Sequence, residues 1–590
     1  RLQRLSRHTA QTRVDKRGKR VPAATTSYTT VVSIAFSAQS SANTTQDIVD
    51  SCTVKVKKGL YGPVGGNNVN NVHGFIFVDD LNMPQKEEYG AQPPLELIRQ
   101  GIVDSGWYDR DDKSWRGMTN MSYASAMVPP GGGRNSITSR LTRHFEVIGV
   151  APMSTTTMEK IFTTILDWHF KQRHFSDVVV NLTGFLVKAT SVVYSECSKQ
   201  LLPTPSKSHY VFNLRDFGRV VQGLMQIHTK QIEGSGGRGG GSEGGLGSLG
   251  SEGSSEGSEG SEGVGEIEGD SSSNNNSNNN SSSNSSNSSK HSVQAMVRLW
   301  SHEMLRVFSD RLVDDVDRNI CLDIISRSSG QHLASQGDLK SCMGYTTATA
   351  APFDAKYMDA LIFCDFLHPE MEPKAYEETP SLQLLRLSMV QQLEEYNLVS
   401  TKPMRLVLFN YAIQHVARVS RILRTPGGHA LLVGVGGSGR QSLTYLAGYM
   451  GGFELKQIRI TANYSMVDFH DDLKDAMMTA ASSSNDDPSN SDSNVVPGTP
   501  TIFLLSDTQI QNETMVENIS NLLNSGEVPN MMGQEDMANA VESIRQSAKS
   551  DRTYMKALEQ QERGSGGGSK SLIVQVHGTR DVDLPVPTAL

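Results

Sequence analysis

The chain has little cysteine, and what it has is scattered: Cys52, Cys197, Cys321, Cys342 and Cys364. Their number is odd and they never form a CxxC pair, so neither a disulfide framework nor a zinc site is indicated. A reducing, cytosolic-type compartment fits best. No window holds ~18 consecutive apolar residues, so no membrane span is expected. Basic charge is not in excess either. The formal net charge is −8 and the pI is near 6.0, which argues against nucleic-acid binding. Apolar residues make up 37% of the 590, a low share for a globular protein.

That shortage is local. Residues 234–289 run from Gly/Ser/Glu repeats (GSEGSEGSEG) into an Asn/Ser block (SSSNNNSNNNSSSNSSNSS). Such a tract cannot bury enough surface to offset its ordering entropy, and disorder is expected. A polar stretch at 481–499 reads as a loop insertion, and a Gly/Ser run at 564–569 as a third break. The rest is rich enough in apolar residues to bury real cores, and the length suggests several domains. The N-terminus is basic (Arg1, Arg4, Arg7, Arg13, Lys16, Arg17, Lys19, Arg20) with no apolar run behind it. A secretory signal is therefore excluded. The segment reads as a solvated tail, with a transit peptide as the alternative on composition. The chain begins at Arg1 rather than Met, as a fragment would.

Among what is present, GFIFVDD (74–80) is a short apolar run ending in two carboxylates. It predicts a buried, parallel-type strand. TIFLLSD (501–507) has the same form, and GHALLV (428–433) predicts a third buried strand before a glycine-rich turn and a helical SLTYLAGYM. Residues 293–328 and 384–424 keep apolar spacing near 3.6 and predict helices. Strands alternating with helices point to an α/β fold with a mostly parallel sheet. The helical block between the two α/β parts reads as a separate small subdomain.

The strongest chemical signal is Gly434, Val435, Gly436, Gly437, Ser438, Gly439, Arg440, Gln441 and Ser442. Its frame is G-x-x-x-x-G followed by a cation. In a phosphate-binding loop the glycines let backbone N–H groups curl around phosphates, and the helix N-terminus adds partial positive charge. A Lys then reaches the β- and γ-phosphates and a Ser/Thr hydroxyl binds Mg²⁺. Here Arg440 stands at the Lys position, Gln441 at the hydroxyl position, and Ser442 is one place late. Arg can pair with phosphate, but its planar fork does not replace a point charge. The bland alternative is a glycine turn without a ligand. Asp79 and Asp80 have the form of a Walker B pair: the first acid holds Mg²⁺ through water, and the second polarises the attacking water. The alternative for them is a solvated strand end. At the matching place after the later strand stand Ser506 and Asp507. Asp507 reads equally as a remaining acid or as a turn residue.

Longer strings carry a family resemblance. FVDDLNMPQKEEYGAQPPLELIRQGIVDSGWYDR (77–110) and PPGGGRNSITSRLTRHF (129–145) closely resemble the third AAA+ module of axonemal dynein heavy chains. YVFNLRDFGRVVQGLM (210–225) and LWSHEMLRVFSDRLVDDVDR (299–318) look like that module's small helical subdomain. RLVLFNYAIQHVARVSRILRTPGGHALLVGVGGSGRQSL (405–443) and FLLSDTQIQNETMVENISNLLNSGEVPN (503–530) look like the fourth module. The implied fold class is α/β: P-loop AAA+ modules, a parallel sheet flanked by helices, with a helical small subdomain and disordered low-complexity insertions. The implied layout is a basic tail (1–32), a partial large subdomain of the third module (33–200), and its small subdomain (201–232 and 293–345). A disordered linker (233–292), a partial fourth module with a P-loop (350–548) and an unassigned tail (549–590) complete it.

The resemblance also implies roles. Asp79 and Asp80 match the third module's Walker B acids, with Asp79 holding Mg²⁺ through water. Arg143 matches the arginine finger, with Arg140 as a rival, and Arg215 the small-subdomain sensor arginine. Gly434–Gln441 match the fourth module's P-loop. Val128 stands where a polar sensor is usual. No G-x-x-x-x-G-K occurs in residues 1–32, and no long heptad run is present. The expected ligands are ATP or ADP and Mg²⁺. The expected partners are the neighbouring AAA+ modules and dynein intermediate, light intermediate and light chains. Microtubules would be reached only through parts outside this chain, and neither nucleic acid nor membrane is expected. The setting would be the cytoplasm and cytoskeleton, in a ciliary or flagellar axoneme. The function implied is a regulatory segment of an ATP-driven, minus-end-directed microtubule motor. The alternative is a degenerate, non-catalytic AAA+ fragment; an unrelated P-loop kinase lacks its Lys–Ser/Thr pair.

Overall fold

The protein is described from a computed structural model. The structure describes residues 28–64, 72–131, 133–233, 280–332, 361–368, 374–400, 402–461, 463–481, 500–526, 528 and 531–550. It divides into two compact units. One holds the described residues up to Ala151 together with those from Glu454 on, and the other is Pro152–Phe453.

The first unit begins with β1 (Tyr28–Ala35), α1 (Ala42–Ser51), β2 (Thr53–Lys57), β3 (Leu60–Pro63) and β4 (Val72–Asp79). It continues through α2 (Pro93–Val103), β5 (Gly106–Tyr108), β6 (Trp115–Met118), β7 (Met121–Ser125) and the short α3 (Ser139–Thr142). β1 starts inside the stretch expected to be a basic tail. That stretch supplies a strand because its end, YTTVV, is β-branched and apolar enough to pair. β4 runs in the middle of a parallel sheet, between β1 and β7. Ile76 and Val78 are fully buried from one face, and Phe75 and Phe77 are half-buried on the other. Cover on both faces is what a continuous apolar run requires. Leu95 and Ile98 of α2, and Trp107, close the core over β4. β2, β3, β6 and β5 form a separate four-stranded sheet.

The second unit is mainly helical: α4 (Thr155–Gln172), α5 (Asp177–Gln200), α6 (Leu214–Leu224), α7 (Thr229–Glu233) and α8 (Asn280–Met304). A π-helical turn, Leu305–Ser309, leads towards α9 (Asp315–His332). The α6 start is set by Asn213, whose side chain accepts from the Asp216 backbone while Asp216 accepts from Asn213. α5 is long and apolar enough to cross a membrane by length and composition, but 56% of that window is buried inside the protein. Its Leu182, Leu186 and Val193 belong to the core. The first ten positions of α8 come from the Asn/Ser block, where composition predicts no structure. Once a helix is nucleated, each added residue gains a hydrogen bond, so extension from the packed Trp300 turn is far less costly than a new start.

After a small hairpin of β8 (Phe363–Cys364) and β9 (Glu377–Glu378) come α10 (Leu382–Val399), α11 (Asn410–Arg424) and α12 (Arg440–Gly451). The predicted helix over 384–424 is thus broken between α10 and α11. The predicted strand at 428–433 does not form. Leu431 and Val433 are 87% and 80% exposed, and the segment carries no ladder. A short apolar run alone does not specify its partner, and a strand exists only through one. The remainder of the first unit is β10 (Glu454–Gln457), α13 (Met466–Ala481), β11 (Thr501–Leu504), α14 (Glu513–Ser525) and α15 (Gln534–Ser550). β10 and β11 are parallel. The α/β class therefore holds, with parallel sheets flanked by helices. The bulk of the low-complexity tract, the 482–499 insertion and the C-terminal Gly/Ser run lie outside the described residues.

Candidate functional site

The glycine loop of the second unit is built at the N-terminus of α12. Gly437 and Gly439 have φ of +77° and +78°, left-handed values that a side chain resists. Gly439 is the N-cap and Arg440 the first helical residue. The loop is closed by Leu443 N–H donating to the Gly439 carbonyl at 2.9 Å. Residues 433–438 are exposed, and Gly439 and Arg440 are half-buried. A largely exposed glycine loop at the positive end of a twelve-residue helix is an arrangement that can take phosphate. Gln441 is exposed and Ser442 half-buried.

α12 is held by apolar packing, and a buried charge pair lies at α11. Leu446, Ala447 and Met450 pack with Ile413 and Val416 of α11 and with Leu385 and Met389 of α10. On the other side of α11, Arg421 Nε lies 3.2 and 3.1 Å from the two Glu303 oxygens, and Tyr376 Oη donates to Glu303 at 2.9 Å. Glu303 is fully buried. Burial alone would lower the Arg421 pKa, but the Glu303 carboxylate outweighs it and the net direction is up. Burial, reinforced by Glu303, pushes the Tyr376 hydroxyl well up, so it remains a donor. A paired buried charge is tolerated where a lone one is not.

In the first unit, Asp79 and Asp80 stand at the end of β4. Asp79 is exposed and its Oδ1 accepts from the Asp80 N–H at 3.0 Å. Asp80 is paired with Arg134, a residue the motif reading passed over. Asn82 is fully buried and donates to the Val128 carbonyl at 2.7 Å. Its side chain also escaped the sequence reading, although its place two residues after the acids was a signal. Val128 itself is 50% exposed. Arg143 caps α3 with an exposed side chain. Arg140 is drawn towards Glu96, at 3.9 Å. Arg215 is exposed in the first turn of α6, in the second unit. Ser506 and Asp507 follow β11 in the first unit, where Asp507 opens a 3₁₀ turn. The structure thus gathers Asp79, Asp80 and Arg134 at one strand end. It keeps Gly434–Ser442 and Arg215 in one unit, and Asp507 and Arg143 in the other.

Among the described residues no cluster of three or more His, Cys, Asp or Glu could hold a metal on its own. Asp79 carries an exposed carboxylate that forms no ion pair among the described residues.

Family models match at three places. The P-loop containing dynein motor region matches residues 19–153, the AAA+ lid domain 186–234, and the P-loop containing dynein motor region D4 404–561. The chain is 36% identical over 518 residues to dynein axonemal heavy chain 3 of Mus musculus, covering 88% of this chain and 11% of that protein. The chain belongs to the dynein heavy chain family. It is also 35% identical over 526 residues to dynein axonemal heavy chain 1 of Homo sapiens, with 87% and 10% covered. Against the dynein-1-beta heavy chain of the flagellar inner arm I1 complex of Chlamydomonas reinhardtii, it is 33% identical over 519 residues, with 88% and 10% covered. The chain spans about a tenth of the length of these dynein relatives.

Two dynein motor regions with a lid between them make this chain a run of neighbouring AAA+ modules. Their P-loop character implies a nucleotide, ATP or ADP, as ligand. The axonemal and flagellar relatives give the cytoskeleton of the cilium or flagellum as its location.

Proposed function

We propose that this chain is a regulatory part of an ATP-dependent, minus-end-directed microtubule motor of cilia or flagella. Its own contribution is nucleotide binding at Gly434–Ser442. The observation that supports this most is the loop itself: Gly437 and Gly439 in left-handed conformation, leading into α12 with Arg440 at its start. In this reading residues 33–200 are a large subdomain of the third module, and 201–232 with 293–345 its small subdomain. Residues 350–548 belong to the fourth module. Asp79 holds Mg²⁺ through water and Asp80 orients the attacking water. Arg143 serves the preceding module's nucleotide, Arg215 the nucleotide of its own module, and Asp507 is the fourth module's remaining acid. Partners would be dynein intermediate, light intermediate and light chains, with microtubules engaged elsewhere in the heavy chain.

A titration of fluorescent mant-ATP, with and without Mg²⁺, tests this. Weak binding is expected at the glycine loop. Arg440→Ala should weaken it about tenfold, the worth of one charge-assisted phosphate contact. If nothing binds and Arg440→Ala changes nothing, the ligand role of 434–442 falls.

A second reading then takes over: a non-catalytic AAA+ segment kept for its shape. Gln441 in place of a Mg²⁺-binding hydroxyl, Ser506 in place of an acid, and apolar Val128 favour it.

A further inference from the structure

The acids at the end of β4 have a built neighbour. Asp80 has φ +53°, a left-handed value uncommon outside glycine. It is held there by flanking backbone bonds. Leu81 N–H donates to the Ala126 carbonyl at 3.0 Å, and Met83 N–H donates to the Asp80 carbonyl at 2.9 Å. The loop that follows β7 is fastened to the same stretch. Asn135 N–H donates to the Asn82 carbonyl at 3.0 Å, Asn135 Nδ2 donates to the Pro84 carbonyl at 2.8 Å, and Asn82 Nδ2 reaches back to Val128. Between these ties the chain turns sharply. Gly131 and Gly133 have φ of +134° and +86°, and a Cβ at either would meet nothing within 4 Å. These glycines therefore serve the turn's backbone and not close packing. The turn closes with Gly131 and Arg134 exchanging backbone hydrogen bonds at 3.3 and 3.2 Å. Its last residue delivers a guanidinium Nη1 to the Asp80 Oδ1.

We propose that Arg134 is an autoinhibitory guard on Asp80, occupying the carboxylate oxygen that the acid would otherwise offer to a metal-bound or attacking water. The proposal rests on the reading of Asp79 and Asp80 as the acids of a nucleotide site. With side chains 25% and 39% exposed, the pair is a partly solvated ion pair, strong enough to bias the carboxylate and weak enough to exchange. A divalent cation competes with the guanidinium for the same oxygen. Phosphate oxygens arriving with the metal offer the guanidinium a replacement partner of higher charge. Arg134 is a positioning residue in this scheme: it acts through Asp80, and its release makes the second acid available only when metal and phosphate are both present.

Mn²⁺ alone, titrated into the full 590-residue chain and followed by water-proton relaxation, tests the guard without any turnover. Arg134→Gln should tighten Mn²⁺ binding about three- to fivefold, the factor a partly exposed ion pair can supply. In an Asp80→Asn background the same change should have no effect. Asn135→Ala, which unfastens the loop while leaving the arginine in place, should tighten binding in the same direction. It stands in if Arg134→Gln does not fold. Arg110→Gln, which removes a positive charge elsewhere in the same unit, should leave the affinity unchanged. The proposal is overturned if Arg134→Gln binds Mn²⁺ like the parent, or if Arg110→Gln tightens binding as much. If Asp79→Asn and Asp80→Asn both leave Mn²⁺ affinity where it was, it is the acid-site reading that falls.

Discussion

Two strands in this chain have nearly the same script and different endings. β4 and β11 are both apolar runs with an aspartate at or shortly after their end: Asp79 closes β4, and Asp507 lies three residues past β11. β4 is paired on both edges and buries Ile76 completely. β11 pairs only with β10 among the described strands, and its Ile502 is 9% exposed. Beyond β4, Asp80 turns into left-handed backbone and meets a guanidinium. Beyond β11, Ser506 is tied by Gln509, whose Oε1 accepts from the Ser506 N–H at 2.8 Å and hydroxyl at 2.9 Å. Gln509 Nε2 in turn donates to the Ile458 carbonyl at 2.7 Å. What faces a strand end across space decides whether its acid is offered, guarded or replaced by a closed turn.

The sharpest way to break this comparison is through the cores. Ile76→Ala should cost about 3 kcal/mol, because a fully buried side chain leaves a cavity that a doubly paired strand cannot close. Ile502→Ala should cost roughly half as much, since among the described strands β11 is paired with β10 alone and Ile502 is less completely buried. Hydrogen exchange of the β4 and β11 peptides in a denaturant series measures both. Equal losses would show the two strands to be equally committed, and the contrast would then lie only in their ends.

Strand β4 was legible because burial on both faces writes itself as a continuous apolar run, and β11 because it carries a similar run, although only its Ile502 is buried. GHALLV was not, because the same run says nothing of a partner. The glycine loop was legible from its spacing, and α12 after it from its period. Arg134 was not, since its partner lies 54 positions away and an arginine after three glycines looks like an ordinary solvated side chain. Glu303 and Arg421 were hidden for a related reason. Each sits in a helical pattern as a charge expected to face water, and only their mutual approach makes burial tolerable.

The second unit carries a pH response of its own. His169 and His415 both lie in the second unit. Burial lowers each to about 4, helped by Arg173 beside His169 and by Arg418 beside His415. Burial also pushes His302 well down, with Arg306 adding to it. Histidines depressed on folding bind protons more readily when unfolded, so their stabilisation is complete above pH ~6.5 and is lost as pH falls towards ~4. By pH 5 the loss should be about 2 kcal/mol for His169. Hydrogen exchange of the α4 peptide at pH 7 and pH 5, corrected for intrinsic rates, should show the second unit loosening. His169→Phe should reduce that pH dependence. A pH response that His169→Phe leaves intact would assign it to the other histidines.

The smallest effect belongs to the end of β11. Gln509→Ala removes the acceptor of two Ser506 bonds and the donor to Ile458, yet the turn is half-exposed and water can replace much of this. A loss of about 1 kcal/mol is expected, read as faster exchange of the Ser506–Ile510 amides with β4 unaffected. The variant also sharpens the chemical contrast. If Gln509 closes a turn that has given up its acid, opening it should create no new metal affinity, and Mn²⁺ binding should match the parent. A gain in Mn²⁺ binding in Gln509→Ala that disappears with Asp507→Asn would mean that Asp507 is a guarded acid as well, held back by an amide where Asp80 is held by a guanidinium.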